Sequence, residues 1–276
     1  MTMAKKVFVI DVAKCNGCHS CQIVCKDEHV ANDWTPIAKP QPDTGQFWLK
    51  LTERVRGTVP KVKVAYRPHL CMHCDQAPCM DACPVKGAIY KREDGLVIID
   101  PEKCTGCKSC VDACPYHVIF FNEDLNLAQK CTGCAHLLDG GWREPRCADA
   151  CPTLAIRFMD EAKAHKSIAK AEVWKPELKR RLKPRVYYLN LPGKFIAGTV
   201  YDPVEREVII GAPCTLAETP GGKQYTVKTD SYGDFWFEGL KDGEYNLKIR
   251  KGKRAKSFAG LNTAEKDINL KDIPLT

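Results

Sequence analysis

The sequence predicts an α+β protein in two parts: a duplicated, cysteine-rich domain over residues 1–159 and an all-β sandwich over residues 195–276, joined by a basic linker at 160–194. Three observations carry this. Sixteen of the seventeen cysteines fall into four groups of four within the first 151 residues. Val9-Ile-Asp-Val-Ala-Lys-Cys15 returns as Ile98-Ile-Asp-Pro-Glu-Lys-Cys104, an internal repeat that carries one complete group onto another. From residue 195 onward, short apolar runs alternate with Gly, Pro and Asp turns, the pattern of a sandwich.

In chain order, each cysteine-rich repeat reads as a strand, a cysteine loop and a short helix. The groups are Cys15-x2-Cys18-x2-Cys21-x3-Cys25, Cys71-x2-Cys74-x4-Cys79-x3-Cys83, Cys104-x2-Cys107-x2-Cys110-x3-Cys114 and Cys131-x2-Cys134-x12-Cys147-x3-Cys151. Between the first two groups, Phe47–Val55 and Lys61–Tyr66 read as a hairpin around Gly57 and Pro60. Trp34, Phe47 and Trp48 fit a partner anchor or core packing equally well. Residues 160–171 have a helical pattern, and 175–189 read as a basic extended stretch. The linker carries ten Lys and Arg against four Asp and Glu, and is expected to be a solvated connection or a grip on an acidic surface. Strands are expected at Phe195–Tyr201, Cys214–Ala217, Gln224–Val227, Asp234–Phe237, Tyr245–Ile249 and Asp267–Leu270. Cys214 lies outside every group and is expected to be a buried thiol.

The spacing points to metal ligation. Disulfide-dense chains are usually short and secreted, and this one has no hydrophobic signal core after Met1. The C-x2-C-x2-C-x3-C-P run is the bacterial ferredoxin pattern for 4Fe-4S clusters. Three thiolates two residues apart wrap three corners of a cubane, and the fourth points away to the other cluster of a pair. Pro84, Pro115 and Pro152 follow the last cysteine of three groups, where a fixed φ leads the chain out of the site. Zinc is the rival reading of a C-x2-C pair, but four tetrahedral ligands suit this run less well. Ferredoxin practice nests duplicated copies, so the first group pairs with the fourth and the second with the third. Four 4Fe-4S clusters are then expected on Cys15, Cys18, Cys21 and Cys151; on Cys25, Cys131, Cys134 and Cys147; on Cys71, Cys74, Cys79 and Cys114; and on Cys83, Cys104, Cys107 and Cys110.

Charge and composition remove other classes. The formal net charge is +8, but sixteen thiolates around four cores of about +2 each bring the loaded chain close to neutrality. Nucleic-acid binding therefore loses its main support. The longest uncharged apolar-rich stretch, residues 208–217, is far too short to span a bilayer. A cytoplasmic location is expected, or export with a signal-bearing partner. No acid/base pair, nucleophile or phosphate loop marks the sandwich as catalytic. His19, His29, His69, His73, His117, His136 and His165 are expected bystanders, because each cysteine group already has four ligands.

Over residues 4–192 the chain resembles the iron–sulfur subunits of the dimethyl sulfoxide reductase superfamily. Ala128-Gln-Lys-Cys-Thr-Gly-Cys-Ala-His-Leu-Leu138, Pro145-Arg-Cys-Ala-Asp-Ala-Cys-Pro152 and Lys183-Pro-Arg-Val-Tyr-Tyr188 carry the likeness. Lys175-Pro-Glu-Leu, Gly233-Asp-Phe-Trp-Phe and Gly243-Glu-Tyr narrow it to the small subunits of pyrogallol–phloroglucinol transhydroxylase and resorcinol hydroxylases. The tail is similar to transthyretin-like, Ig-like or carboxypeptidase-regulatory-like sandwiches. The resemblance implies a large catalytic partner holding molybdenum or tungsten on two pterin guanine dinucleotides, and a phenolic substrate that is hydroxylated, dehydroxylated or transhydroxylated. It also implies that the cluster on Cys15, Cys18, Cys21 and Cys151 lies nearest that site and the one on Cys83, Cys104, Cys107 and Cys110 farthest. One departure matters: the transhydroxylase small subunit has a degenerate third group, whereas Cys104, Cys107, Cys110 and Cys114 are all present here. An outlet to an external electron carrier is therefore expected. The alternatives are the matching subunit of a thiosulfate, polysulfide or arsenate-type reductase, or a free-standing polyferredoxin shuttle.

Overall fold

The computed structural model describes residues 4–276, which divide into two compact units. The first comprises residues up to 53 together with 65–191; the second comprises 54–64 and 192–276.

The first unit is built around the strand Lys6–Asp11, whose four central residues, Val7 to Ile10, are buried. It pairs antiparallel with Ile156–Asp160 and parallel with Val186–Leu189, so that Phe8 lies opposite both Phe158 and Val186. The helix Glu161–Ile168 covers one face of this sheet, with Ala164 against Val7 and Val9. The opposite residues, Phe8 and Ile10, join a larger core that contains most of the clustered cysteines. Alternate residues of a strand point to opposite faces, so one apolar strand serves both cores. Two small hairpins, Ile89–Lys91 with Val97–Ile99 and Ile119–Asn122 with Leu127–Lys130, complete the frame.

The basic stretch is structured. After a 3-10 turn at Pro176–Leu178 and a helical turn at Lys179–Leu182, it enters the third strand of the sheet. On the way it straps the second cysteine group through backbone bonds: Asp75 N–H donates to Lys183 O, Gln76 N–H to Leu182 O and Arg185 N–H to Met72 O. The Arg185 side chain, 3% exposed, donates to Asp75 Oδ1 at 2.6 Å, to Glu161 Oε2 at 3.2 Å and to the Lys6 carbonyl at 3.2 Å. A planar guanidinium suits such a multi-partner site better than an ammonium. The apolar flanks, Leu182 and Val186, are buried, which is why a charged run folds against the core.

The second unit is a sandwich of two four-stranded sheets. In one, Lys194–Asp202 pairs with Glu207–Val208, Asp234–Leu240 and, in parallel, Ile268–Pro274. The other runs Gln224–Lys228, Pro213–Thr219, Glu244–Lys251, Arg254–Asn262. Ile196, Val200, Phe235 and Phe237 from the first sheet share a core with Cys214, Leu216, Leu247 and Ile249 from the second. Strand Arg254–Asn262 is absent from the sequence expectation. It is an edge strand with no fully buried residue and therefore carries little apolar alternation. Cys214 is fully buried, and burial pushes its thiol up to about 12.

The hairpin between the first two cysteine groups spans Lys50–Thr58 and Lys61–His69, and its tip belongs to the second unit. Arg56 donates to the Gly193 carbonyl at 2.6 Å and to Asp267 Oδ1 at 3.1 Å, with both charged side chains nearly buried. Lys61 pairs with Asp234, and Lys63 with Glu238 at 2.8 Å over the Trp236 ring. Trp48 is buried in the core of the first unit, and Trp34 packs against that core partly buried.

Removing one partner of a buried ion pair strands the other charge. Arg56→Ala is therefore expected to destabilise the sandwich by about 3–5 kcal/mol, read as a lower denaturation midpoint in its near-ultraviolet circular dichroism. By the same reasoning Arg185→Ala is expected to cost the first unit about 3–5 kcal/mol, with proteolysis then appearing first in the released 175–189 strap.

Candidate metal centres

Each cysteine loop needs backbone conformations that side chains ordinarily avoid, and the internal repeat reproduces them. Gly17 and Gly106 have φ of 76° and 74°, and His19 and Lys108, each two residues after its glycine, both have φ of 60°. A Cβ on Gly17 would come within 2.6 Å of the Tyr66 ring, and one on Gly106 within 2.6 Å of Asn126. Glycine is thus required twice over, by left-handed backbone and by a close neighbour. The second and fourth groups show a parallel match. His73 and Gly133, with φ of 44° and 64°, donate their backbone N–H groups to the sulfurs of Cys71 and Cys131, each at 3.4 Å. These turns fold the chain around the thiols and aim N–H groups at them, which favours the thiolate form.

The sixteen cysteines meet as four quartets. Cys15, Cys18, Cys21 and Cys151 line one cavity, together with Pro68, Pro152 and Ile156. Cys71, Cys74, Cys79 and Cys114 line a second, with Val97, Tyr116 and Ile119. Cys83, Cys104, Cys107 and Cys110 line a third. Cys25, Cys131, Cys134 and Cys147 form the fourth quartet: burial drives the Cys25 thiol well up, and Cys131 and Cys134 push it further. Burial does the same to Cys147, reinforced by Cys134, Cys131 and Cys25.

Among the described residues, no three His, Cys, Asp or Glu side chains form a group that could hold a single metal ion. The thiols instead surround a space, walled by apolar side chains. Four soft sulfur donors facing one apolar-walled space fit a 4Fe-4S cube.

The quartets stand in sequence. Cys147 feels Cys21, which links the fourth quartet to the first. Cys131 feels Cys71, which links it to the second. Cys79 in turn feels Cys110, which leads to the third. The neighbouring thiols thus run from Cys15/Cys18/Cys21/Cys151 through Cys25/Cys131/Cys134/Cys147 and Cys71/Cys74/Cys79/Cys114 to Cys83/Cys104/Cys107/Cys110.

Exposure follows that order. All eight cysteines of the two inner quartets are buried. In the outer quartets Cys18 and Cys107 are exposed, and Cys15, Cys83 and Cys104 are partly so. The thiols differ accordingly. Burial and neighbouring thiols push Cys21, Cys79 and Cys134 up to about 12, while Cys18 and Cys107 lie below the ordinary value because Ser20 and Ser109 hydrogen-bond to them. Ser20 and Ser109 are equivalent in the repeat, a role the cysteine spacing alone does not disclose.

The histidines are not alike. His73 is buried, and its Nδ1 accepts the Val97 N–H at 3.0 Å. His29 is also buried, between Trp48 and the edge of His136; burial lowers it to about 3, so it is neutral. The His136 ring stacks on Trp34 at 4.3 Å and its Nε2 lies 3.0 Å from Glu28 Oε1, while the other Glu28 oxygen meets Arg146 at 3.3 Å. Glu28 and Arg146 were not singled out by the sequence. Their separation in the chain hides a bracket that the fold assembles beside Cys134, whose thiol feels both.

Comparison with known proteins accords with this geometry. The profile of a 4Fe-4S dicluster domain matches residues 62–161, a 4Fe-4S binding domain matches 13–30, and a carboxypeptidase regulatory-like domain matches 196–275. The pyrogallol hydroxytransferase small subunit of Pelobacter acidigallici is 42% identical over 258 residues, which cover 90% of this chain and 91% of that protein. A tetrathionate reductase subunit of Salmonella typhimurium is 35% identical over 68% of this chain and 74% of its own. The arsenate respiratory reductase iron–sulfur subunit of a Shewanella species is 33% identical over 66% and 95%. The chain belongs to the iron–sulfur subunits of the dimethyl sulfoxide reductase superfamily, the family that includes the pyrogallol hydroxytransferase small subunit.

Proposed function

We propose that this chain is the electron-transfer subunit of a heteromeric molybdenum or tungsten oxidoreductase. It holds four 4Fe-4S clusters, one on each cysteine quartet, between a large catalytic partner and an external carrier. The observation that carries the reading is the file of four quartets, buried in the middle and open at both ends. When bound, the clusters supply a series of one-electron redox centres.

The residues of this chain provide the rest. The apolar walls around Cys71, Cys74, Cys79 and Cys114 keep water from the inner positions. Backbone N–H groups of His73 and Gly133 and the side chains of Ser20 and Ser109 stabilise thiolates. Exposure at Cys18 and Cys107 leaves each end accessible to another molecule. The end at Cys18 faces the catalytic partner in this reading, and the end at Cys107 faces the carrier.

The 42% identity to a pyrogallol hydroxytransferase small subunit supports a phenolic substrate for the complex. The intact Cys104/Cys107/Cys110 run supports net redox exchange, as in hydroxylation or dehydroxylation of an arene. Among the described residues, no helix is long and apolar enough to cross a membrane, so a membrane partner would have to dock on this chain's surface.

Anaerobically purified complex is expected to hold about sixteen irons per chain, four for each cluster, with molybdenum or tungsten in a co-purifying large subunit. A chain that purifies alone, or carries zinc in place of iron, would count against the proposal. Cys107→Ser is expected to remove or alter the outermost centre's paramagnetic resonance signal and to abolish coupling to the carrier, while arene transhydroxylation by the partner persists. Unchanged coupling in that variant would refute the assigned direction.

A further inference from the structure

Three of the four cysteine groups begin with a lysine: Lys14 before Cys15, Lys103 before Cys104 and Lys130 before Cys131. The fold treats them differently. Lys14 is exposed. Lys103 is more than half exposed and is neutralised by Asp100 at 2.6 Å. Lys130 is 2% exposed. Its ammonium donates to the carbonyls of Val97 and Cys131, and among the described residues no carboxylate pairs with it.

A buried cation without a counter-charge is strongly disfavoured, and two carbonyl dipoles do not replace an anion. The sulfurs do. Lys130 sits between the two buried quartets: it precedes Cys131 and donates to that residue's carbonyl, while its other acceptor, the Val97 carbonyl, belongs to a residue that lines the cavity of Cys71, Cys74, Cys79 and Cys114. Two other cations close by have carboxylate partners: Lys91 donates to Cys74 O at 2.8 Å and pairs with Asp75 at 2.9 Å, and Arg146 meets Glu28 at 3.3 Å and Asp149 at 3.2 Å. Asp75 is shared with Arg185. Among these described cations of the inner region, Lys130 is the one with no carboxylate partner.

We infer that Lys130 is the counter-cation shared by the two inner clusters and raises the reduction potential of both. The inference rests on the proposed cluster ligation. Four thiolates around a core of about +2 leave a net charge of about −2, and one-electron reduction by dithionite adds another negative charge with no bond made or broken. A fixed cation in a low-dielectric interior favours the more negative state, and favours it more than an exposed, screened lysine can. The sign follows directly: removing the charge makes the inner clusters harder to reduce.

The test is a redox titration of the intact complex, followed by paramagnetic resonance, with iron analysis on every sample. Lys130→Met keeps the apolar volume of the stem, Lys130→Arg keeps the charge, and Lys103→Gln removes the exposed equivalent. Lys130→Met is expected to move two of the four reduction steps to lower potential and leave the other two in place. Lys130→Arg should restore them, and Lys103→Gln should produce a smaller displacement. Loss of about eight irons, two clusters' worth, in Lys130→Met but not in Lys130→Arg would equally support a counter-charge. Full iron with unmoved steps in Lys130→Met would overturn the inference, as would equal iron loss in both Lys130 variants, because shape and not charge would then be the cause. A Lys103→Gln displacement as large as that of Lys130→Met would overturn it too. Wild-type complex lacking four reducible clusters would instead refute the ligation itself, which separates the two failures.

Discussion

Sixteen cysteine thiols are gathered into four groups in a small interior, and the rest of the first unit is built around that constraint. Thiolates repel one another and resist burial, so a chain that brings four together needs donors aimed at them and something positive to surround. The donors come from left-handed residues at matched positions, His73 beside Cys71 and Gly133 beside Cys131, and from the paired serines Ser20 and Ser109 beside the exposed thiols. Left-handed residues cost about 1–2 kcal/mol each when they are not glycine. That cost is offset when ligand bonds form around each loop, so the energetics of this fold are inseparable from what the quartets hold.

The gradient of exposure along the four quartets connects packing to function. A buried centre is shielded from water and from adventitious oxidants, while an exposed one can approach a redox partner closely. The inner quartet of Cys71, Cys74, Cys79 and Cys114 is walled by Val97, Tyr116 and Ile119. The outer ones are closed only partly, and their exposed thiols, Cys18 and Cys107, each have a nearby serine to stabilise the thiolate. The duplication thus supplies two similar ends, with the two buried cysteine quartets between them.

The second unit stands on different physics. Its core is a conventional inter-sheet packing of Phe235, Phe237, Leu216 and Ile249, with no clustered titratable group in it. The long hairpin that interrupts the cysteine-rich part lends it residues 54–64, held by Arg56 on Asp267 and Lys61 on Asp234. These side chains are mostly buried, so their pairing is worth more than that of typical surface charges. The hairpin was legible as two strands around Gly57 and Pro60, but its membership of the sandwich was not, since charge pairing between residues as distant as Arg56 and Asp267 leaves no local pattern.

The sequence by itself determined the chemistry: cysteine spacing, the repeat and the following prolines specify what the loops can bind, because ligand geometry is imposed over a few neighbouring residues. It also determined most of the sandwich, where alternation reports burial directly, and missed the edge strand Arg254–Asn262, where nothing is buried and alternation fades. The nested pairing already set the first group beside the fourth and the second beside the third; the tertiary structure added the join between the two pairs, where Cys131 meets Cys71, because that proximity depends on how distant segments pack. It also turned the basic stretch from a tether into a strap through Arg185, and separated Lys130 from Lys14 and Lys103. Identical dipeptides acquire different roles because the dielectric around a charge is a property of the folded interior and not of its neighbours in the chain.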